Sequence, residues 1–155
     1  MFSKFSRTVS IALVAGFVSF GAAAQERGTK EEAKAMAEAA AAHVKKVGTE
    51  KAFKDFATDK ATWIKKDMYV FSLDFSGNML LHPITPQLVG KNLSAMKSDN
   101  GTSSTAQMTE IAKTKGAGWY EYDFTHPATK KVEKKASYVI RNPGADSYIG
   151  VGVYR

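Results

Sequence analysis

Residues 67–83 read DMYVFSLDFSGNMLLHP, and the rest of the chain is arranged around them. Tyr69, Val70, Phe71 and Leu73 form a run of β-formers, Phe75-Ser76-Gly77-Asn78 supplies turn chemistry, and Met79 to His82 is a second apolar run closed by Pro83. This pattern predicts a β-hairpin. A loop of two or four residues places His82 on the face of Tyr69, Phe71 and Leu73; a three-residue loop places it on the other. In the first case one face carries an imidazole beside a phenol, between apolar walls.

Downstream, a proline- and glycine-rich stretch from Pro83 to Leu93 forbids regular structure while keeping Ile84, Leu88, Val89 and Leu93 apolar, so it reads as a loop that packs down. Thr105 to Lys115 follows as a helix with Met108, Ile111 and Ala112 inward and Gly116 as its stop. Three strands come last: Trp119 to Phe124, Val132 to Arg141, and Ser147 to Tyr154, separated by turns at His126-Pro127 and Asn142 to Asp146. Gly150 and Gly152 share one face of the final strand, which leaves room there for another backbone, a helix or a ligand.

Upstream, Thr29 with Glu32 makes a capping box for a helix through Val47. Its apolar stripe is Ala33, Met36, Ala37, Ala40, Val44 and Val47, and Gly48 stands at its C-terminal end. A second helix runs from a Thr49 cap to about Ala57, and a short turn is anchored by Trp63 as core filling. His43 is an edge residue. Helix, helix, hairpin, loop, helix and three strands make an α+β domain with a five- or six-stranded antiparallel sheet. The long N-terminal helix covers one face, and the central loop with the short helix covers the other.

The first 24 residues form an address. Lys4 and Arg7 precede an apolar run from Val9 to Phe20, too short for a comfortable membrane span, and Ala22-Ala23-Ala24 precedes Gln25 as a cleavage site. The expectation is a signal peptide over residues 1–24, with an uncleaved anchor as the alternative, and a single domain over 25–155, periplasmic or secreted. Two of the net +7 charges belong to that leader, and the remaining basic residues are scattered, so nucleic-acid binding is excluded as a function. Without cysteine there is no disulfide, thiolate chemistry or cysteine-held metal or haem. No HExxH, GxSxG or phosphate-binding glycine loop is present, so neither an enzyme nor a cofactor is expected.

Six pieces in order carry a family resemblance: Tyr69-Val-Phe-Ser-Leu-Asp74 through Gly77; Leu81-His82-Pro83; Leu88-Val-Gly90-Lys-Asn92-Leu93; Gly118-Trp-Tyr-Glu-Tyr122; Lys135-Ala-Ser-Tyr138-Val; and Gly150-Val-Gly152-Val-Tyr154. Together they resemble a single Cache domain, the extracytoplasmic sensor module of chemoreceptors and sensor kinases, from about Thr29 to Arg155. The resemblance implies a PAS-like fold with a pocket between the sheet and the loops after the hairpin, holding a small organic ligand such as a short carboxylate. It places Tyr69, His82, Tyr122 and Lys135 near that pocket, with Trp119 and Tyr138 as walls. Lys135 would pair with a carboxylate while the others donate hydrogen bonds.

Read without the resemblance, Lys135 beside Glu133 and Lys134 is a solvent-facing strand lysine, and the tyrosines are sheet aromatics. Cache sensors normally sit between two membrane helices, and no second span follows Tyr154-Arg155. The expected partner is therefore a separate membrane-bound receptor or kinase. The alternative is an interaction protein that forms a homodimer through the stripe Ala33, Ala37, Ala40 and Ala41, without a metabolite ligand.

Overall fold

The computed structural model describes residues 26–98 and 100–155; the leader expected over residues 1–24 lies outside them. Helix α1 spans Lys30–Val47, α2 Thr49–Thr58 and α3 Lys60–Trp63. Strands β1 (Ile64–Lys65), β2 (Met68–Asp74) and β3 (Met79–Leu81) lead through a 3-10 turn at Pro86–Leu88 to α4 (Ser104–Thr114). Strands β4 (Ala117–Thr125), β5 (Val132–Arg141) and β6 (Ser147–Tyr154) complete the fold. The six strands form one antiparallel sheet in the order β1-β2-β6-β5-β4, with β3 also paired to β2.

The start of α1 is set by its capping box. Glu32 N–H donates to Thr29 Oγ1 at 3.1 Å and Thr29 N–H donates to Glu32 Oε2 at 2.9 Å. Gly48, at φ 85°, ends this helix and begins the next, so Thr49 is the first residue of α2 rather than its cap. Ala33, Met36, Ala37, Ala40 and Val44 are buried against Met68, Val70, Ala136, Ile149, Val151 and Val153 of the sheet. Small side chains on the helix let its backbone approach the sheet closely. The alanine stripe offered above as a dimer surface is consumed by this packing, since Ala33, Ala37 and Ala40 have no exposed area. Trp63 fills the core as expected, meeting Phe56 edge-on at 4.6 Å.

Strand β1 was not legible in the sequence. It is two residues long, pairs Lys65 with Met68, and is closed by a turn with Lys66 at φ 58°. Asp67, buried in that turn, joins distant parts of the chain. Its Oδ1 accepts the Gly28 N–H at 2.6 Å and its Oδ2 accepts the Tyr154 N–H at 2.8 Å.

The hairpin forms with a twist that the loop alternatives did not contain. Leu73 pairs with Met79 across a loop from Asp74 to Asn78, and the register then shifts so that Ser72 pairs with Leu81. Asp74 organises the loop, its carboxylate accepting the Ser76 and Asn78 N–H groups at 2.9 and 2.8 Å. The bulge advances β3 by one residue and returns His82 to the face of Tyr69.

The second face of the sheet carries Tyr69, Phe71, Leu73, Tyr122, Val139 and Tyr148, covered by Leu93 and by Met108 and Ala112 of α4. The gap left by Gly150 and Gly152 is filled from within this face. A Cβ at Gly150 would strike the Phe71 ring, and one at Gly152 would strike the Lys135 chain and the Ser137 hydroxyl. The space goes to the chain's own side chains, and two of those belong to the cluster described next.

Candidate functional site: a buried ammonium in an aromatic cage

Lys135 sits in the middle of β5, opposite Tyr122 on one side and Tyr154 on the other. This register turns it inward, and it is 2% exposed. Its ammonium donates to the Tyr69 hydroxyl at 2.9 Å. Around it stand the rings of Tyr69, Tyr154, Phe124 and Phe71, with centroids 4.4, 4.9, 5.2 and 5.3 Å from Nζ. The solvent-facing reading of Lys135 is thereby overturned.

Among the described residues, no carboxylate lies within ion-pair distance of this ammonium. Burial pulls the Lys135 pKa down to about 7, opposed by the more distant Asp67 carboxylate. The ring faces attract the cation but do not neutralise it. A buried charge of this kind is normally paired, so the cage holds a positive group with room in its chemistry for an anion.

His82 stands next to the cage, 3% exposed, with its ring 4.9 Å from that of Tyr69. Its Nδ1 accepts the Thr85 N–H at 2.9 Å, which places the ring proton on Nε2. Burial, and then the Lys135 charge, lowers its pKa to about 4, so at neutral pH it is an uncharged donor. Tyr122 shares a hydrogen bond of 3.1 Å with Ser137, and burial raises its pKa; burial also raises that of Tyr69. All three neighbours of the lysine are therefore neutral hydrogen-bonding groups at pH 7.

Four of the six expected residues, Tyr69, His82, Tyr122 and Lys135, thus share one face. Trp119 and Tyr138 do not. Their tilted rings meet at 5.2 Å beneath α1, with Lys30 and Lys34 over them, so they are walls of the opposite face. The sequence contained the reason: Trp119 and Tyr122, like Lys135 and Tyr138, are three residues apart on one strand, and an odd spacing puts side chains on opposite faces. Tyr154, Phe71 and Phe124, three of the four rings of the cage, were not among the expected site residues. The even spacing from Gly150 and Gly152 to Tyr154 was the signal that could have found the first of these.

A cavity of about 210 Å³ opens beside the cage, lined by Ile64, Lys66, Asp67, Tyr69 and Ile84 and by the turn His126-Pro127-Ala128. A larger depression of about 600 Å³ lies elsewhere, between Asp74, Phe75, Ser76, Lys113, Arg141 and Asp146. There Arg141 already meets Asp146 at 3.2 Å, both are exposed, and the cations rest over Phe75. The smaller cavity is the candidate site because an unpaired buried charge lies directly behind its Tyr69 wall. Among the described residues, no group of three or more His, Cys, Asp or Glu is placed to hold a metal, and no helix is long and apolar enough to cross a membrane.

A helix-backed antiparallel sheet whose other face is covered by a loop and a short helix is the PAS-like architecture. The Cache-domain family profile matches residues 25–155, and the chain belongs to that family. A methyl-accepting chemotaxis protein of Vibrio parahaemolyticus superposes with a TM-score of 0.69 at 25% identity, over 81% of this chain and 87% of that one. A Cache chemosensory domain solved for carboxylic acid recognition shares the fold, with a TM-score of 0.68 at 24% identity over 80% of this chain and 91% of its own. The sensor histidine kinase MctS of Rhizobium johnstonii is 30% identical over 89 residues, 57% of this chain and 19% of MctS. The chemotaxis protein McpP of Pseudomonas putida is 30% identical over 88 residues, 57% of this chain and 16% of McpP. The matched segments thus cover less than a fifth of either curated relative.

Proposed function

We propose that this chain is an extracytoplasmic sensing module that binds a small carboxylate, with the Lys135 ammonium as its charge partner. Tyr69, His82 and Tyr122 are the neutral donors around the carboxylate. The observation that carries this reading is the buried ammonium, caged by four rings and without an acidic partner among the described residues. A ligand carboxylate supplies the missing charge to an ammonium whose hydrogen bond goes to a neutral hydroxyl. Membership of the Cache family and the carboxylic acid recognised by one structural neighbour support the same class of ligand.

The leader over residues 1–24 sends residues 25–155 across the membrane, where the domain passes its ligand-bound state to a separate membrane-bound receptor or kinase. The kinds of relative found, one kinase and one chemotaxis protein, support such a partner. The test is a thermal-shift screen of residues 25–155 against short carboxylates and their amides. A ligand that binds the folded state alone raises the melting temperature as RT ln(1 + [L]/Kd). Dose-dependent shifts with acids and none with the amides are expected; equal shifts with both, or none with either, overturn the reading.

A further inference from the structure

We propose that His126 is a second ligand-binding residue, and that the site selects acids bearing an acceptor oxygen in addition to the carboxylate. This rests on the carboxylate reading above and extends it to the His126-Pro127-Ala128 turn that also lines the cavity. His126 lies in the turn between β4 and β5 and is 3% exposed, yet it lines the cavity shared with Tyr69. Its Nδ1 accepts the Ala128 N–H at 3.1 Å and the Thr129 N–H at 3.3 Å. An Nδ1 used as an acceptor carries no proton, so the ring proton is on Nε2. Among the described residues that Nε2–H has no hydrogen-bond partner.

The ring is also fixed in place, 4.4 Å from that of Tyr154, which itself faces the Lys135 ammonium. His126 thus repeats the construction of His82: a backbone N–H holds Nδ1, a tyrosine of the cage holds the ring, and a donor is left over. The two histidines stand on the two tyrosines that flank one lysine. A plain alkanoate that pairs with Lys135 past the Tyr69 wall offers the His126 donor no acceptor. A hydroxyl or carbonyl oxygen on the ligand completes that cavity-facing donor in place of water, and a donor that a bound ligand covers without pairing is what gives hydrogen-bonding sites their discrimination.

The bland role for His126 is to cap its own turn, and His126→Asn separates the two roles. The asparagine Oδ1 stands in for Nδ1 toward the turn's N–H groups, whereas nothing replaces Nε2–H. Calorimetric titrations with propanoate, 2-hydroxypropanoate, butanoate and 3-hydroxybutanoate should show about a tenfold preference for at least one hydroxy acid over its parent. In His126→Asn that preference should collapse, the hydroxy-acid affinity falling by more than any fall in alkanoate affinity. On wild type, the His126 Nε2 resonance should move with the preferred hydroxy acid and stay still with its parent, a readout that does not depend on the variant folding. A preference that survives in His126→Asn, no preference in wild type, or an unmoved Nε2 overturns the assignment and leaves the carboxylate reading standing. Binding of none of the four acids overturns both.

Discussion

Lys135→Met removes the buried ammonium at nearly constant volume. An unfolded lysine ionises near 10.5, whereas burial holds the folded one at about 7. Three and a half units at about 1.4 kcal/mol each, with the folded group half-charged at pH 7, make retention of this lysine cost roughly 4 kcal/mol. That cost reflects desolvation and the Asp67 charge alone; the hydrogen bond to Tyr69 offsets about 1 kcal/mol of it, and attraction to the rings about 0.5–2 kcal/mol more. The ligand-free methionine variant is therefore expected to be more stable than wild type, by on the order of 1 kcal/mol at pH 7. The sign of the pH dependence is fixed. Between pH 7 and 10.5 the unfolded chain binds more protons than the folded one, so wild-type stability rises with pH and the advantage of the variant shrinks. Urea unfolding of both proteins at pH 7 and pH 10 measures the two differences. A variant less stable by more than about 1 kcal/mol at pH 7, or a difference that does not change with pH, would refute the claim that an unpaired charge is buried here. The same variant should lose its response to carboxylates.

Three further outcomes are expected. His82, held near 4 by burial and by Lys135, stays neutral in the fold, so stability is full above pH 6.5 and falls as the pH drops from there toward 4. The loss should reach about 3 kcal/mol, and denaturation midpoints of wild type and His82→Asn across this window should converge. Asp67→Ala leaves the buried Tyr154 N–H and the Gly28 N–H without their acceptor, and chemical denaturation should show a loss of about 2–4 kcal/mol; a neutral effect would dismiss Asp67 as a clamp. Tyr148 is fully buried and its hydroxyl lies beside that of Thr109 without reaching good hydrogen-bond geometry, so Tyr148→Phe should be neutral or stabilising by about 1 kcal/mol, as read from the melting temperature.

What the sequence made legible follows from local rules. The capping box, the Gly48 break and the alternation in β4 and β5 are written in adjacent residues, and the elements appear where those signals stand. The burial of Lys135 is not local. The run Glu133-Lys134-Lys135 looks solvated, and only the pairing of β5 with both β4 and β6 turns its third member into the cage. The face of His82 depends on one bulge, which no turn motif announces. Strand β1 is too short to show a period, and its existence depends on Asp67 finding partners at Gly28 and Tyr154. His126 was read as a turn residue, which it is; its second nitrogen matters only because Tyr154 holds the ring against the cavity.

The central claim is that a ligand carboxylate pairs with the Lys135 ammonium, and its most direct test is the proton count of binding. At pH 8 most of the free protein carries an uncharged Lys135, and a carboxylate arriving beside it raises its pKa and draws a proton from solution. Titration of one binding acid at pH 8, in two buffers of different ionisation heat, should show uptake approaching one proton per ligand, falling as the pH is lowered to 6. Binding with no proton uptake at pH 8, or with proton release, would contradict the pairing.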